Sequence, residues 1–339
     1  SGFVIYDEKD QSSLVEKLLD ELHADEKLKK PLLNFIEEMK NEGRLTLPEF
    51  SFPREKKLAE LFGYYQRKIK ESNAMDFGDL LCNAIRLFSE HEEVRLKYEG
   101  LFRYIIVDEF QDTNAAQYKI LRLLTRGRKN ICVVGDDDQS IYSWRGARIE
   151  NILSFDRDYF GARVVKLEKN YRSTQMILSA ASELVSRNAA RHDKRLYSNR
   201  ESGERLQVFI AADDIVEAKT VASKIMELRK KYDYGSIAVL YRTNAQSRLF
   251  EDVFRALGIP YVVVGALMFY ARAEIKDILA YLKVLVNPYD AISFLRIINK
   301  PARGIGAKAI EKMAARAAEK GISLFDAFME IAYDSDDKL

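Results

Sequence analysis

Apolar residues recur at helical intervals through most of the first hundred positions of the chain. These runs lie at residues 14–22, 32–39, 55–72 and 80–88, and a loop with two prolines lies at about 43–54. Apolar positions repeated every three to four residues form one face of an amphipathic helix. We therefore predict that residues 10–100 are largely helical.

The pattern changes after residue 101, where short apolar runs alternate with helical stretches. The six runs are Tyr104–Val107, Ile131–Val134, Val164–Leu167, Leu206–Ile210, Ile237–Tyr241 and Tyr261–Val264. Nearly continuous Val/Ile runs of this length are typical of strands buried on both faces of a parallel sheet. Right-handed crossovers between such strands place functional loops at the strand carboxyl ends. From about residue 273 the pattern is helical again, with breaks at 287–288 and 301–306.

Composition limits the class of protein. The 339 residues are 47% hydrophobic and 31% charged, a normal balance for a chain of two or three globular domains. Its two cysteines, Cys82 and Cys132, each lie in an apolar stretch, so we expect no disulfide framework and a reducing cytoplasm. No apolar run reaches about 18 residues, and the first residues lack the basic and apolar regions of a secretory signal. We therefore expect no membrane span and no secretion.

Charge is distributed unevenly, although the net charge is only +2. Residues 1–100 contain 16 basic and 21 acidic side chains, whereas residues 101–339 contain 38 basic and 31 acidic ones. A basic second half suits a polyanionic partner, but ordinary solvated faces produce differences of this size as well.

Two carboxylates follow the first predicted strand directly. Asp108 and Glu109 come after Val107, at a position where doubly wound sheets bind their ligands. Asp108 can hold Mg²⁺ directly or through water, and Glu109 can orient or deprotonate an attacking water. The alternative is that the two acids simply begin a polar loop.

The second predicted strand leads into a polar loop, residues 135–146, that carries an amide, two aromatic residues and an arginine. Gln139 can contact a terminal phosphate and report its presence. Tyr142 and Trp144 can stack on bases, and Arg145 can bind a phosphate or a base plane. A lone tryptophan is often a core residue, but the polar neighbours of Trp144 indicate partial exposure.

A third polar segment, residues 168–174, follows the predicted strand at 164–167. Arg172 can act as an arginine finger on a γ-phosphate, and Tyr171 can stack on adenine. Alternatively the two form an ordinary surface pair, next to a hydroxyl residue that caps the following helix.

These three segments resemble motifs II, III and IV of the UvrD/Rep/PcrA-type superfamily 1 helicases in sequence, order and spacing. They are Asp108–Thr113, Gly135–Ala147 and Asn170–Thr174. Residues Leu240–Arg248 resemble a further family segment, and Ala74–Leu81 resemble the return of the chain into the first motor domain. The resemblance extends over nearly the whole chain.

The resemblance implies a role for each motif residue. Asp108 would serve Mg²⁺, Glu109 the hydrolytic water, Gln139 and Arg172 the γ-phosphate of ATP, and Tyr171 the adenine ring. The residues that would bind DNA are Tyr142, Trp144, Arg145, Arg242 and Asn244. Family helicases move 3′ to 5′ along one strand as two RecA-like domains open and close on ATP, and bases pass between aromatic side chains.

The chain departs from the family pattern in several places. It contains no G-x-x-x-x-G-K-[ST] phosphate loop, and it lacks the adenine-contacting glutamine motif and the late His-x-x-Lys-Gly and Thr-Arg-Ala stretches. Residues 3–7 resemble a point well inside the family sequence. We therefore expect a fragment cut at both ends, which would be inactive as an ATPase by itself.

A basic turn precedes the helical pattern that begins at about residue 307. It contains Arg303, Gly304, Gly306 and Lys308, and residues 294–320 carry seven basic and two acidic side chains. A Gly-x-Gly turn at a helix start lets backbone N–H groups approach a phosphate. An ordinary helical hairpin explains the pattern equally well, whereas resemblance to the family's accessory domain implies contact with duplex DNA.

We predict an α/β fold with parts of two RecA-like P-loop NTPase domains, whose parallel sheets are flanked by helices, and with helical insertions. The expected parts are a helical insertion at 1–75, the first RecA-like domain at 76–162, the second at 163–272 and the start of an accessory insertion at 273–339. The implied function is ATP- and Mg²⁺-dependent 3′–5′ unwinding of DNA in repair or replication.

The expected partners are single-stranded DNA, single-strand/duplex junctions and repair or replication proteins. Two alternatives are a helicase subunit of a helicase–nuclease complex and a non-catalytic DNA-binding module.

Overall fold

The computed structural model describes residues 2–44, 46–189, 191–264 and 273–333. The chain divides into two compact units. The first consists of Ser1–Lys169, Ala181–Leu196 and Lys276–Leu339, and the second of Asn170–Ala180 and Tyr197–Ile275. The four domain ranges expected from the sequence remain predictions.

The first unit begins with a mostly helical region, as predicted for residues 10–100. Its elements are β1 (Val4–Tyr6), α1 (Glu8–Glu21), α2 (Lys29–Asn41), α3 (Pro53–Glu71), β2 (Ala74–Asp76), α4 (Phe77–Glu90) and α5 (Glu92–Leu101). Asp7 and Asp76 begin α1 and α4 with capping boxes. Strands β1 and β2 pair in parallel, with Val4 opposite Ala74. The sequence pattern missed both strands because three residues are too few to show an alternation.

The small sheet that positions the candidate site follows in the same unit. The sheet consists of β3 (Ile105–Val107) and β4 (Ile131–Val133), and α6 (Ala115–Leu124) connects the two strands. Helices α7 (Glu150–Leu153) and α8 (Phe155–Asp158) follow β4. Strands β3 and β4 pair in parallel, with Val107 opposite Val133. This β–α–β arrangement confirms the α/β class, and it brings the loops that follow β3 and β4 to one edge of the sheet.

Four of the six predicted strands are wrong. Within the described ranges no strand forms in the segments at 164–167, 206–210, 237–241 and 261–264. The only strands that follow β4 in these ranges have two residues each, β5 (Lys169–Asn170) and β6 (Tyr197–Ser198). Apolar runs become strands only where a neighbour completes the hydrogen-bond ladder, and no described segment does so here. Most of their side chains are exposed instead, with Ile210 97% exposed, whereas Ile237 and Val239 are partly buried against a neighbouring apolar core. Burial on both faces is also wrong for β3, since Ile106 is 76% exposed.

The second unit is built around three helices. They are α9 (Gln175–Val185), which leads back into the first unit, α10 (Asp214–Leu228) and α11 (Ser247–Ala256). Helices α10 and α11 share a small apolar core that includes Ala222, Ile225, Phe250 and Phe254. This core supports the exposed segment at 240–248 that precedes and begins α11.

The last four helices form a compact cluster, as expected from residue 273 onward. They are α12 (Ala273–Val286), α13 (Ala291–Ile297), α14 (Ala307–Lys320) and α15 (Leu324–Tyr333). Within the first unit, the buried Tyr6 hydroxyl donates a 3.0 Å hydrogen bond to Asp290 Oδ1, and Asn287 Nδ2 donates to the Ser72 carbonyl at 2.8 Å. Buried polar contacts therefore tie this cluster to the first helices. None of the helices in the described residues is long and apolar enough to cross a membrane.

Candidate functional site

The chain leaves β3 through a backbone turn that carries two exposed carboxylates. Glu109 has φ +49°, a left-handed conformation that is uncommon outside glycine, and its N–H donates to Asp108 Oδ1 at 3.0 Å. The next residue, Phe110, is fully buried, and its ring lies 5.5 Å from that of Phe155. The buried Phe110 thus holds a strained turn in place, and such strain is often found at functional sites.

The loop after β4 packs directly against this turn. The Val134 N–H donates to the Val107 carbonyl at 2.8 Å, and the Phe110 N–H donates to the Val134 carbonyl at 2.9 Å. Gly135 follows, and a Cβ at this position would lie 2.5 Å from Gln111 Oε1 and 3.1 Å from the Phe110 nitrogen. Only glycine therefore allows the two loops to approach this closely.

A chain of hydrogen bonds joins two of the three predicted catalytic side chains, Glu109 and Gln139. Gln111 is 1% exposed; its Nε2 donates to Glu109 Oε2 at 2.7 Å, and its Oε1 accepts from the Asp136 N–H at 2.9 Å. The Asp136 carboxylate in turn accepts from Gln139 Nε2 at 2.7 Å. The sequence analysis missed Gln111 and Asp136 as site residues, because their burial and orientation depend on the contact between the two loops.

Two basic side chains form ion pairs with the acidic triplet Asp136–Asp138. Lys194 Nζ lies 2.5 Å from carboxylate oxygens of Asp136 and Asp137 and 3.1 Å from one of Asp138. Arg191 donates two hydrogen bonds to Asp138, at 2.9 and 2.8 Å. Neither contact could be predicted from the sequence pattern, because Arg191 and Lys194 lie in an irregular segment more than 50 positions away.

These contacts keep Asp136 and Asp138 ionised. Burial opposes ionisation, but hydrogen bonds from Lys194 and Gln139 lower the pKa of Asp136 below its ordinary value. Hydrogen bonds from Arg191 and Lys194 likewise outweigh burial and lower the pKa of Asp138. The loop that carries Gln139 is therefore fixed electrostatically as well as by packing.

An exposed aromatic–arginine cluster follows Gln139 in the same loop. The ring centres of Tyr142 and Trp144 are 6.3 Å apart, and Arg145 lies over both rings. Trp144 is 63% exposed, so it is not a core residue. The turn is closed by Gly146 at φ +82° and by a hydrogen bond from Asn41 Nδ2 to the Arg145 carbonyl. The cluster can stack on flat ligands and attract phosphate.

The second unit carries the predicted ATP- and DNA-binding residues at positions 171, 172, 242 and 244, all of them exposed. The Arg172 N–H donates to Asn170 Oδ1 at 2.9 Å, which shapes the turn that contains Tyr171. The Arg242 N–H donates to Gln246 Oε1 at 3.0 Å, and Asn244 begins one turn of 3₁₀ helix before α11. These local bonds hold both segments in defined turns.

The basic turn before α14 has the predicted position at a helix start. Gly304 has φ +74°, and Gly306 directly precedes the first residue of α14. Lys308 is exposed, but the Arg303 guanidinium donates to the Ile297 and Ile298 carbonyls at 2.7 and 2.9 Å. The Arg303 guanidinium therefore supplies hydrogen bonds to carbonyls at the end of α13. This structural role was not predicted from the sequence.

The donors at the end of β3 fit a magnesium ion that is shared with a nucleotide. Within the described ranges, no group of three or more His, Cys, Asp or Glu side chains could hold a metal by itself. Mg²⁺ usually retains water and binds through one or two carboxylates together with substrate phosphates. The exposed Asp108 carboxylate can supply such a ligand.

Comparison with known proteins places both halves of the chain in one family. Residues 1–160 match the family model of the UvrD/REP helicase N-terminal domain, and residues 165–339 match that of the UvrD-like helicase C-terminal domain. Similar curated proteins include the ATP-dependent DNA helicases PcrA of Staphylococcus epidermidis, Bacillus subtilis and Staphylococcus aureus, each 43% identical over 97–98% of this chain. The chain spans about half the length of these relatives, 46% in each case. The chain therefore belongs to the UvrD-like helicase family.

Proposed function

We propose that this chain supplies part of the motor of an ATP-dependent DNA helicase that moves 3′ to 5′ along single-stranded DNA. One observation carries the proposal: Gln139 and the Tyr142–Trp144–Arg145 cluster share a single short loop, and that loop is hydrogen-bonded through Gln111 to Glu109. A change in phosphate contact at Gln139 would therefore be transmitted to a surface suited to stacking on bases. The relatives named as ATP-dependent DNA helicases support the same function.

The proposed hydrolytic chemistry assigns one task to each side chain. Glu109 orients and deprotonates the attacking water, and Gln139 contacts the γ-phosphate. Asp108 would hold Mg²⁺ together with water and phosphate oxygens, and that ion would neutralise phosphate charge. In the second unit, Tyr171 stacks on adenine and Arg172 stabilises the charge that develops on the γ-phosphate.

The proposed DNA contacts are largely independent of base sequence. Tyr142, Trp144 and Arg145 bind single-stranded DNA together with Arg242 and Asn244. The turn with Arg303, Gly304, Gly306 and Lys308 binds duplex phosphates near a junction. We propose that the protein acts in the cytoplasm in DNA repair or replication, where single-strand/duplex junctions arise.

An ATPase assay on the full-length protein, with and without single-stranded DNA, tests this proposal. We expect DNA-stimulated turnover in the ordinary enzyme range of about 1 s⁻¹ or more. Glu109→Gln is expected to abolish turnover while ATP still binds, because the amide keeps the shape of the side chain but cannot accept the proton. The 339-residue chain alone is expected to show background turnover, because its sequence contains no phosphate loop.

The ATPase assay distinguishes the first alternative, and a DNA-cleavage assay on the same protein distinguishes the second. A non-catalytic DNA-binding module would bind DNA with no stimulated turnover. A helicase subunit of a helicase–nuclease complex would hydrolyse ATP and also associate with DNA cleavage.

A further inference from the structure

We propose that Gln111 is a positioning residue for ATP hydrolysis, which holds the Glu109 carboxylate in its working orientation and couples it to the loop that carries Gln139. This inference rests on the proposed function. It assigns a role to a buried side chain that acts through Glu109.

The hydrogen bonds of Gln111 fix its amide in one orientation. Nε2 donates to Glu109 Oε2 at 2.7 Å, and Oε1 accepts from the Asp136 N–H at 2.9 Å. Turning the amide over would place its oxygen against a carboxylate and its NH₂ group against a backbone N–H, so both bonds would be lost. The Gln111 amide therefore connects the Glu109 carboxylate and the Asp136 N–H in a single orientation.

Packing restricts Gln111 further. The residue is 1% exposed, and its backbone carbonyl accepts from Ser140 Oγ at 3.4 Å. The absence of a side chain on Gly135 leaves the room that Gln111 Oε1 occupies. A movement of the loop after β4 is therefore transmitted to Glu109, because the Gln111 side chain has little conformational freedom.

The chemistry of the surroundings explains why an amide suits this position. Glu109 has two carboxylate neighbours, since its N–H donates to Asp108 and its charge acts on the nearby Asp112. Neither carboxylate can donate a hydrogen bond when ionised. A lysine at position 111 would form an ion pair that occupies the Glu109 carboxylate, whereas the neutral amide orients the carboxylate and leaves its charge free for the water.

Two substitutions of Gln111 separate its two hydrogen bonds. Gln111→Glu keeps an oxygen that accepts from the Asp136 N–H but turns a carboxylate toward Glu109, whereas Gln111→Met removes both bonds at similar length. In the full-length protein we expect each to lower kcat of the DNA-stimulated ATPase by about 10- to 100-fold, the scale of a misplaced catalytic group. KM for ATP and the Kd for single-stranded DNA should change by less than about threefold.

Gln117→Glu is the matched control. Gln117 is exposed on α6 in the same unit, and its Oε1 accepts from the Asn114 N–H, a bond that glutamate can also make. This variant introduces the same charge without contacting Glu109, so its kcat should equal that of the wild type. Thermal melts identify any variant that fails to fold, and Gln111→Glu, which keeps one bond, serves if Gln111→Met does not fold.

A double-mutant cycle tests whether Gln111 acts through Glu109. In single-turnover hydrolysis, adding Gln111→Met to Glu109→Gln should lower the remaining rate by less than about twofold, because the group that Gln111 positions is already disabled. Full multiplication of the two effects would overturn the inference, as would a Gln111→Met kcat within about threefold of the wild type. Absence of DNA-stimulated turnover in the wild type would instead refute the proposed function, and this inference with it.

Discussion

The guanidinium carbon of Arg145 lies 4.6 Å from the centre of the Trp144 ring, so the only tryptophan of the chain is paired with a cation. The Trp144 side chain is also exposed. A cation over an indole face is attracted by the ring quadrupole, which favours a fixed orientation of both side chains. The opposite face of the ring can then receive a base without much loss of side-chain entropy. This arrangement makes Trp144 the most direct probe of the proposed DNA surface.

We predict that Trp144→Ala in the full-length protein weakens binding of single-stranded DNA by about 1–3 kcal/mol, the usual contribution of one base–aromatic stack. Thermal stability should change little, because the side chain is mostly exposed. Phe160→Ala is the control, since Phe160 is an exposed aromatic residue of the same unit outside the cluster. Lower stability with unchanged DNA affinity would show that Trp144 is structural.

Arg172→Ala is predicted to lower DNA-stimulated ATP turnover by roughly 10³-fold or more, the scale measured for arginine fingers. ATP should still bind, because the substitution removes charge stabilisation that matters most in the transition state. Arg200→Ala provides a control: its guanidinium donates to the Arg172 carbonyl, so it tests whether the shape of this turn alone accounts for the loss. More than about a tenth of wild-type turnover in Arg172→Ala would mean that the residue does not reach the γ-phosphate.

The sequence predicted the location of the candidate site better than it predicted the sheets. Asp108, Glu109 and Gln139 follow the carboxyl ends of β3 and β4 as predicted, because two adjacent parallel strands are enough to bring these loops together. Four other apolar runs, among them Leu206–Ile210, have the composition of strands but no ladder partner among the described residues. A strand depends on its neighbours, and a single run of residues does not contain that information.

The supporting residues of the site could not be predicted for a related reason. Gln111 lies in the same motif as Glu109, but nothing in a linear pattern shows that its amide faces both Glu109 and the Asp136 N–H. Lys194 is separated from the triplet Asp136–Asp138 by three helices, a short strand and irregular chain. Long-range polar contacts of this kind depend on tertiary packing and have no local signature.

The basic turn before α14 yields a prediction that separates charge from structure. Lys308→Ala should lower the slope of log K against log salt by about 0.9 for a duplex with a 3′ single-stranded tail, as expected for one phosphate contact. Arg303→Ala should in addition lower the melting temperature, because its guanidinium bonds carbonyls at the end of α13. Lys219→Ala, on the exposed face of α10, should leave the slope unchanged. If Lys308→Ala also leaves it unchanged, the turn is an ordinary helical hairpin.

The ion pairs of Lys194 predict a pH-dependent contribution to stability. The pKa values of Asp136 and Asp138 are lowered in the folded state, chiefly by bonds from Lys194 and Arg191 that outweigh burial. Their contribution is therefore complete above the unfolded Asp value of about 3.9 and is lost as the pH falls through the lowered values. Lys194→Met should reduce the free energy of unfolding by about 1–3 kcal/mol at pH 7, since it leaves partly buried carboxylates uncompensated.

Urea unfolding of the 339-residue chain at pH 7, 5 and 3 checks this prediction. The difference between wild type and Lys194→Met should be equal at pH 7 and pH 5 and smaller at pH 3. Lys56→Met, at an exposed position on α3, should match the wild type throughout. A difference that is the same at all three pH values would show that the contribution of Lys194 does not depend on ionisation of the carboxylates.

We predict that ATP hydrolysis drives strand separation, and an unwinding assay on the full-length protein measures this activity. Two duplexes of identical sequence, one with a 3′ single-stranded tail and one with a 5′ tail, are incubated with ATP and Mg²⁺. We predict rapid separation of the 3′-tailed duplex, little separation of the 5′-tailed duplex and none of either by Glu109→Gln. Failure of the wild-type protein to separate the 3′-tailed duplex, or equal separation by Glu109→Gln, would refute the proposed helicase function.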